Sequence, residues 1–324
     1  MHLQKTFWAS QTIKKPQAMS QYHVPVLLNE SVSALNIEEN PNGIFIDVTF
    51  GGGGHSREIL SRLGPKGKLI AFDRDSDAIK NAPKDKRLTL IHNNFRFMRN
   101  FVRALGYCGK IDGILGDLGV SSHQFDTGER GFSFRFDAKL DMRMNTLGGK
   151  SAADIVNSYT QEELTRIFKI YGELDKPWKA AELICKWREN SPIETTGDLG
   201  KAVAKLYTSF NEHKFLAQLY QALRIEVNME MRALEDFLNG TTACLKPNGR
   251  LSVITYHSLE DRMVKNFMKA GNTEGKEGKD FYGRSLSPFT LVNRKPILPP
   301  EEEIASNSRS RSAKLRVAEF TPDK

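Results

Sequence analysis

The sequence predicts an α/β fold in which a parallel sheet is interrupted by an inserted all-helical domain. Three observations support this prediction. Short apolar runs alternate with amphipathic helical patterns up to Asp117, which is typical of βαβ units. From Ser151 to Tyr207 the hydrophobic period is helical. The α/β pattern then returns with the β-branched run Arg250–Tyr256.

Hydrophobic periodicity and turn residues give each element in order. A turn is predicted at Lys246–Gly249, and His257 opens a predicted helix. The last two predicted strands are expected to pair antiparallel at the sheet edge. Helices are also predicted at Ser31–Leu35, Asp75–Ala82 and Phe97–Leu105, and capping boxes at Ser151/Asp154 and Thr160/Glu163 begin two more. The predicted strands are Ile44–Val48, Lys68–Asp73, Leu88–His92, Ile111–Leu115, Arg250–Tyr256, Phe289–Arg294 and Leu315–Phe320.

These patterns divide the chain into three parts. Residues 1–20 are polar and are predicted to be a flexible extension, with Met19 as a second candidate start. Residues 21–125 and 225–324 together form the predicted α/β domain. Residues 126–224 form the predicted insertion, which consists of a loop and a helical substrate-recognition domain.

The stretch that says most about function follows the first strand. Four glycines, Gly51–Gly54, come directly after Ile44–Val48, and a helical pattern begins near Ser56, the predicted N-cap. Glycine lets the backbone approach a ligand closely, and a helix N-terminus offers unpaired N–H groups. This stretch therefore predicts a cofactor-binding corner.

The spacing of the glycines restricts the cofactor class. A phosphate-binding P-loop ends in Gly-Lys-Ser/Thr, whereas this loop ends in His55-Ser56. A dinucleotide fingerprint needs a third glycine where Ser56 or Arg57 stands, which weakens the NAD interpretation without excluding it. The next strand ends in Asp73, which is placed to accept hydrogen bonds from ribose hydroxyls. S-adenosylmethionine, a nucleoside without pyrophosphate, fits both features; a glycine turn without ligand is the alternative.

Two more residues follow predicted strands, and the carboxyl ends of parallel strands meet at one edge of a sheet. Phe95 is predicted to pack on the adenine face, with ordinary core packing as the alternative. Asp117 is placed where cofactor and substrate should meet, with a helix cap as the alternative. Both residues therefore join Gly51–His55 and Asp73 in the predicted site.

The composition of this 324-residue chain is typical of a soluble globular protein. Its net charge of +8 is mild evidence for a nucleic-acid partner. The three cysteines, Cys108, Cys185 and Cys244, show neither zinc-site nor disulfide spacing, which fits a reducing cytoplasm. No apolar run is long enough to span a membrane. A cytoplasmic protein without metal or membrane partner is therefore predicted.

Two basic segments are predicted to contact RNA. Gln124–Asn145 is rich in glycine, arginine and phenylalanine and has no clear period, which is typical of a functional loop. Its arginines suit phosphates and its phenylalanines suit bases, although these rings could equally pack beneath a flap. The segment Arg309–Lys314 precedes the final strand. The predicted RNA contacts are Arg130, Arg135, Arg143, Arg309, Arg311 and Lys314.

Six motifs occur in one order along the chain: Asp47–His55 (DVTFGGGGH), Asp117–Gln124 (DLGVSSHQ), Glu129–Phe134 (ERGFSF), Leu140–Met144 (LDMRM), His257–Arg262 (HSLEDR) and Arg309–Arg316 (RSRSAKLR). Together they resemble the bacterial MraW/RsmH family from about Tyr22 to the C-terminus. That resemblance implies a Rossmann-like class I S-adenosylmethionine-dependent methyltransferase sheet with an inserted helical domain.

The same resemblance implies the reaction and the cofactor contacts. The family methylates the exocyclic N4 amine of a cytidine in the decoding region of 16S ribosomal RNA, with the small ribosomal subunit as the substrate particle. The cofactor contacts that it implies are Gly53, Gly54, His55, Asp73, Phe95, Asp117 and Gln124.

Cytosine N4 is a poor nucleophile, because its lone pair is delocalised into the ring. An acceptor for an N4–H proton would help, and Asp117 is the predicted catalytic acceptor, unless it only holds the methionine end of the cofactor. Methylation at carbon-5 would need a cysteine nucleophile, and the cysteines fall in helical patterns or a turn.

Two other functions are weighed against this one. A DNA amino-methyltransferase usually carries an Asn/Asp-Pro-Pro-aromatic motif, and Asp117-Leu-Gly-Val120 stands in its place. A non-catalytic RNA-binding ribosome-assembly factor is the second alternative, which intact Asp73, Phe95 and Asp117 disfavour. The sequence assigns no role to His257–Arg262.

Overall fold

The computed structural model describes residues 25–75, 82–119, 130–145 and 148–322. The predicted flexible extension, most of the predicted helix Asp75–Ala82, and Gln124 lie outside these residues. One mixed sheet organises the rest. Its strands are β1 (Ile44–Asp47), β2 (Lys68–Asp73), β3 (Leu88–His92), β4 (Ile111–Asp117), β5 (Leu245–Thr255), β6 (Phe289–Leu291) and β7 (Lys314–Phe320).

The sheet has seven strands in the order β3-β2-β1-β4-β5-β7-β6. The first five are parallel to their neighbours, and β7 pairs antiparallel with both β5 and β6. The order 3-2-1-4-5 is that of a Rossmann-like sheet, whose ligands bind at the carboxyl ends of the strands. The predicted antiparallel pairing of the two last strands is confirmed.

One sequence prediction in this region is wrong. Lys246–Gly249 is not a separate turn but part of β5. Pairing between β4 and β5 shifts register between Ile111 and Gly113, and Asn248 has a φ of 65°. The residues that suggested a turn therefore form an irregular, bulged part of the strand, where a local kink accommodates them.

The helices fall into two groups, one around the sheet and one in the insertion. The capping boxes at Ser151/Asp154 and Thr160/Glu163 are confirmed at the start of two of them. No described helix combines the length and the apolar character that a membrane span requires. The helices of the described residues are α1 (Leu28–Ser33), α2 (Gly54–Arg62), α3 (Met98–Ala104), α4 (Ala152–Ser158), α5 (Gln161–Ile170), α6 (Pro177–Arg188), α7 (Thr196–Val203), α8 (Glu212–Asn228), α9 (Glu230–Cys244), α10 (Ser258–Ala270) and α11 (Glu301–Ser306).

Buried apolar side chains form separate clusters in these two groups. The cluster in the insertion runs from Phe132 to Leu223 and joins α4 to α8. The largest sheet cluster includes Phe237 and Leu238 of α9. α8 and α9 meet at Met229, which has a φ of 49°. The change from one cluster to the other therefore falls near the predicted boundary at residue 225, although the division into domains stays a prediction.

Asn228, the last residue of α8, connects the insertion loop to this junction. Its Oδ1 accepts a hydrogen bond from the Met144 N–H at 2.8 Å, and its Nδ2 donates to the Met142 carbonyl at 2.8 Å. The side chain is buried, so both backbone groups depend on it for a partner. Asn228 therefore fixes the end of the loop 130–145 against α8.

We expect Asn228→Ala to lower the free energy of unfolding by about 2–3 kcal/mol, because it leaves buried backbone groups without partners. Asn239→Ala is the matched control, since Asn239 is an exposed asparagine in α9, and its effect should stay within about 0.5 kcal/mol. Urea denaturation at unchanged m-value measures both. Equal stabilities of the two variants would contradict the role of Asn228.

Candidate functional site

The glycine corner between β1 and α2 has a geometry that side chains would obstruct. Gly53 is the N-cap of α2 with a φ of 77°, where a Cβ atom would lie 2.8 Å from Phe50 Cζ. A Cβ atom on Gly54 would collide with the Pro25 ring. Both positions therefore require glycine for close packing, and they expose the first N–H groups of α2.

The predicted N-cap Ser56 is wrong by three residues, because α2 begins at Gly54 and Ser56 lies in its first turn. The Ser56 hydroxyl has a stronger partner than a backbone N–H: it donates to Asp47 Oδ2 at 2.6 Å. That contact is not local in sequence, and a capping pattern therefore did not reveal it.

Asp47, at the end of β1, was missed by sequence reasoning. It is fully buried, and its Oδ1 accepts a hydrogen bond from the Thr49 N–H at 3.0 Å. Thr49 Oγ1 in turn accepts from the backbone N–H of Asp117 at 2.7 Å. Burial raises the pKa of the Asp47 carboxyl, and the nearby His55 and Ser56 oppose that rise. An acidic residue ending an apolar strand was the available signal.

Asp73, at the end of β2, reaches the glycine corner from the neighbouring strand. Its Oδ2 accepts from the Gly51 N–H at 2.7 Å, and its Oδ1 accepts from the Asp75 N–H at 2.8 Å. Burial raises the pKa of Asp73, while these two N–H groups oppose the rise. The predicted ribose acceptor and the predicted glycine loop are thus in direct contact.

Asp117, at the end of β4, lies beside two residues of different elements. His55 Nδ1 is 3.9 Å from Asp117 Oδ2, and His55 Nε2 is 3.2 Å from the Val26 carbonyl. The Tyr256 hydroxyl interacts with the same carboxyl group. Burial and this carboxyl group raise the pKa of Tyr256 well above its usual value. Burial likewise raises the pKa of Asp117, and His55 opposes that rise.

The two oxygens of Asp117 differ in their surroundings. Oδ1 is buried and has no hydrogen-bond partner among the described residues. A buried carboxylate oxygen without a donor is costly, so a group that can donate a hydrogen bond there is favoured. This oxygen is therefore the strongest mark of a ligand-binding position at the carboxyl edge of the sheet.

Phe95 lies at the start of a short 3₁₀ helix, Phe95–Phe97, which Asn94 caps. Its half-buried ring packs edge-to-face on Phe237 with 5.7 Å between the centroids. One side of the ring thus belongs to the core while the rest is accessible. Both interpretations of Phe95, core packing and an adenine contact, are compatible with this position.

Two of the predicted RNA contacts are engaged inside the protein. Arg130 pairs with Asp75 at 3.2 Å and donates to the Arg143 and Met144 carbonyls. Arg143 pairs with Asp141 at 2.7 Å. The partner of Arg130 lies 55 residues away and could not be read from the sequence, whereas Asp141 lies only two residues before Arg143. These side chains hold the loop 130–145 together and tie it to the end of β2.

The other predicted RNA contacts lie closer to solvent. Arg135 is exposed on the loop 130–145. Arg309 and Arg311 are exposed on the 3₁₀ helix Ser308–Ser312. Lys314, the first residue of β7, is 3.6 Å from Asp261. Their contacts with RNA stay a prediction.

The motif His257–Arg262 begins α10. His257 is the N-cap, and its Nδ1 accepts from the Glu260 N–H at 3.4 Å while Glu260 Oε2 accepts from the Tyr256 N–H at 2.9 Å. This capping box holds Tyr256, and with it the hydroxyl group beside Asp117.

The rest of this motif joins the two parts of the fold. Ser258 donates to Glu173 of the helical insertion at 2.8 Å, and Arg262 pairs with Glu173 at 3.4 Å. Asp261 pairs with Arg316 of β7 at 2.7 Å. The motif thus anchors the insertion next to the carboxyl edge of the sheet.

Among the described residues, Glu230, His257 and Glu260 have ligand atoms within 4.8 Å of one another and could hold a metal. Arg224 already pairs with both oxygens of Glu230 at 2.9 Å. His257 Nδ1 is a hydrogen-bond acceptor, which leaves the proton on Nε2, the atom nearest Glu260. Arg224 and His257 thus already occupy the two carboxylates of this cluster, and a metal-free enzyme stays a prediction.

The MraW methylase family model matches residues 20–321. The chain belongs to the MraW methylase family. A family relative from Parabacteroides distasonis, named Ribosomal RNA small subunit methyltransferase H, is 58% identical over 93% of this chain and 98% of that protein. A relative of the same name from Flavobacterium johnsoniae is 54% identical over 92% of this chain and 98% of that protein.

Solved structures resemble this member of the family more distantly. A putative rRNA-methylase from Clostridium thermocellum is 14% identical, with a TM-score of 0.41 over 92% of this chain and 99% of that one. TrmN from Thermus thermophilus is 12% identical, with a TM-score of 0.38 over 90% of this chain and 48% of that one. The predicted fold class is confirmed by the family match and by the strand order.

The raised pKa of Asp47 makes stability depend on pH. A folded-state pKa above the unfolded value means that the carboxyl group destabilises the fold increasingly as pH rises through the folded-state value. Asp47→Asn keeps an acceptor for Thr49 and a partner for Ser56 but does not titrate. We expect its stability relative to the wild type to rise from about pH 5 to about pH 8 in urea denaturation.

Asp85→Asn is the control for this measurement. Arg87 lowers the pKa of Asp85 to about 2. The contribution of this carboxylate to stability is therefore complete above the pKa of the unfolded state and is lost only in stronger acid. Its difference from the wild type should therefore be constant between about pH 5 and about pH 8. A constant difference for Asp47→Asn as well would refute the assignment.

Proposed function

We propose that this protein is an S-adenosylmethionine-dependent methyltransferase that acts in the cytoplasm on 16S ribosomal RNA within the small ribosomal subunit. Its target is the exocyclic N4 amine of a cytidine in the decoding region. Membership of the MraW methylase family and the names of the relatives support methylation of small-subunit RNA. The observation that carries the proposal is the buried, unpartnered Oδ1 of Asp117, which favours a target group that can give up a proton.

The residues of the corner fit S-adenosylmethionine. The Gly53 and Gly54 positions leave no room for a Cβ atom and bring backbone N–H groups to the edge. Asp73 is the proposed acceptor for the ribose hydroxyls, and Phe95 is the proposed adenine contact. His55 and Gln124 complete the proposed cofactor contacts, Gln124 lying outside the described residues.

When bound, S-adenosylmethionine supplies a methyl group on a positively charged sulfur. Transfer of that group from sulfur to N4 would require one proton to leave N4. Asp117 Oδ1 is the proposed acceptor, and the raised pKa of Asp117 makes it a stronger base. Tyr256 and His55 hold the other side of this carboxyl group.

The position of the cysteines argues against methylation at carbon-5. All three lie in the described part of the chain, and none ends a strand at the carboxyl edge. Cys244 is buried at the end of α9, where burial raises the pKa of its thiol to about 12. A thiol so resistant to ionisation is a poor nucleophile.

Arg135, Arg309, Arg311 and Lys314 are the proposed phosphate contacts. Arg130 and Arg143 are proposed to act indirectly, because their guanidinium groups already hold the loop 130–145. A DNA amino-methyltransferase and a non-catalytic assembly factor remain the alternatives, and no described contact favours either.

The modified nucleosides of small-subunit RNA test the proposal. In cells that lack the protein, N4-methylation of one 16S cytidine should disappear, and purified protein with S-adenosylmethionine should restore it on isolated small subunits. Digestion of the RNA and mass analysis identify the nucleoside. Transfer to deproteinised DNA but not to small subunits would instead support the DNA enzyme, and no transfer at all would support the assembly factor.

Asp117→Asn and Asp73→Asn form a matched pair that separates chemistry from cofactor binding. Asp117→Asn should lower kcat about 100-fold or more with S-adenosylmethionine affinity within a few-fold of wild type, because it removes a proton acceptor. Asp73→Asn should weaken cofactor binding about 10-fold or more, because it removes a charge-assisted acceptor. Calorimetry measures affinity, and labelled methyl transfer measures turnover. Unchanged kcat in a cofactor-saturated Asp117→Asn protein would exclude Asp117 as the acceptor.

A further inference from the structure

A short hairpin, residues 278–286, lies between α10 and β6. Leu286 N–H donates to the Gly278 carbonyl at 2.9 Å, and Lys279 forms an isolated antiparallel bridge with Ser285. Asp280 N–H donates across the hairpin to the Arg284 carbonyl at 2.9 Å. These cross-strand bonds give this hairpin a defined backbone rather than that of an irregular loop.

The side chain of Asp280 shapes the tip of the hairpin. Its Oδ1 accepts from the Tyr282 N–H at 2.9 Å and from the Arg284 N–H at 2.8 Å. Gly283, with a φ of 80°, donates to the Asp280 carbonyl and completes the turn. The tip is thus held in place by bonds of its own.

This turn presents two neighbouring aromatic rings to solvent. Phe281 is 97% exposed and Tyr282 is 80% exposed, and the rings meet edge-to-face with 5.6 Å between their centroids. Leu286 adds a further exposed apolar side chain. Large apolar side chains that are grouped and exposed on an ordered backbone mark an interaction surface.

The hairpin 278–286 has an excess of one positive charge, because Lys279 and Arg284 outnumber Asp280. Lys269 and Lys276 pair with Glu277 and Glu274, which neutralises those carboxylates. Asp280 is engaged in the turn. Among the described residues, Lys279 and Arg284 form no ion pair, and the Arg284 guanidinium lies 5.8 Å from the centre of the Tyr282 ring.

The hairpin is remote from Asp117. α10 begins beside the carboxyl edge of the sheet and runs for 13 residues, about 20 Å, before the chain reaches the hairpin. β6, which follows the hairpin, pairs with the end of β7 near Glu319, which lies opposite Arg250 and away from the carboxyl end of β5. A single nucleotide at the carboxyl edge therefore does not reach the hairpin, and a ligand that contacts both must extend over about 20 Å.

We propose that the hairpin 278–286 is a second RNA-binding site, which stacks unpaired bases of the small-subunit RNA on Phe281 and Tyr282 and holds phosphates with Lys279 and Arg284. Aromatic rings beside cations are the usual surface for single-stranded RNA, because every base offers a face for stacking. Two unpaired cations favour a polyanion over an apolar protein surface. The inference rests on the proposed RNA substrate.

The double variant Phe281→Ala/Tyr282→Ala tests the stacking contact. We expect its affinity for small subunits to fall about 10-fold or more, with kcat at saturating subunits and S-adenosylmethionine affinity unchanged. Leu105→Ala removes an exposed apolar side chain from another element and should change none of these values. An unchanged affinity of the double variant would overturn the proposal.

The double variant Lys279→Ala/Arg284→Ala tests the phosphate contact. Each lost phosphate contact lowers the slope of log affinity against log salt by about one, so the slope should fall by about two. An unchanged slope would overturn this part of the proposal. Both measurements use binding of the full chain to isolated small subunits and need no methyl transfer, so failure of the proposed catalysis and failure of the hairpin site are distinguishable.

Photo-crosslinking identifies the partner directly. The variant Phe281→p-benzoylphenylalanine should crosslink to ribosomal RNA when irradiated with small subunits. Adducts with ribosomal protein alone, or with a second copy of this chain, would overturn the proposal in favour of a protein interface. If the variant crosslinks to RNA while the wild-type protein transfers no methyl group, the hairpin site stands and the proposed enzyme is rejected.

Discussion

The buried carboxylate of Asp47 is the constraint on which the site depends. Burying a carboxylate is costly unless donors surround it, and Thr49 and Ser56 supply them. These contacts pull the glycine corner and the first turn of α2 onto the end of β1. Because Thr49 also accepts a bond from Asp117, one buried charge sets the relative position of the corner and the neighbouring strand.

A second set of contacts places the helical insertion against the same edge. Glu173 of the insertion contacts Ser258 and Arg262 of α10, while Asn228 holds the loop 130–145. Arg130 continues this connection to Asp75, two residues after the proposed ribose acceptor. The insertion is therefore attached through polar contacts near the ends of β2 and β5, on the side of the sheet where the glycine corner lies.

Features set by local sequence could be predicted closely. β2 and β3 have the predicted bounds, because their apolar runs end at strongly polar residues. The capping boxes of α4 and α5 were also correct, because a cap depends on residues only three apart. Asp73 and Asp117 could be placed at one edge because strand ends share an edge in a parallel sheet.

What depends on contacts between distant segments was missed. Ser56 is not the cap because its partner, Asp47, lies on the preceding strand. The ion pair of Arg130 with Asp75 was not foreseen either, because the two residues lie 55 positions apart, and contact of Arg130 with RNA stays a prediction. The bulge around Asn248 carries turn residues, yet the pairing of β5 with β4 continues past it.

The two proposed contact regions divide the work of recognition. Among the described residues, the carboxyl edge offers one unpartnered carboxylate oxygen. That oxygen does not distinguish one cytidine from another. A weak amine nucleophile needs exact alignment, and binding energy from remote parts of a substrate can hold it in place. The hairpin 278–286 lies about the length of α10 from that edge, so a ligand must be extended to contact both. Selection of one cytidine would then depend on the shape of the particle rather than on the base alone.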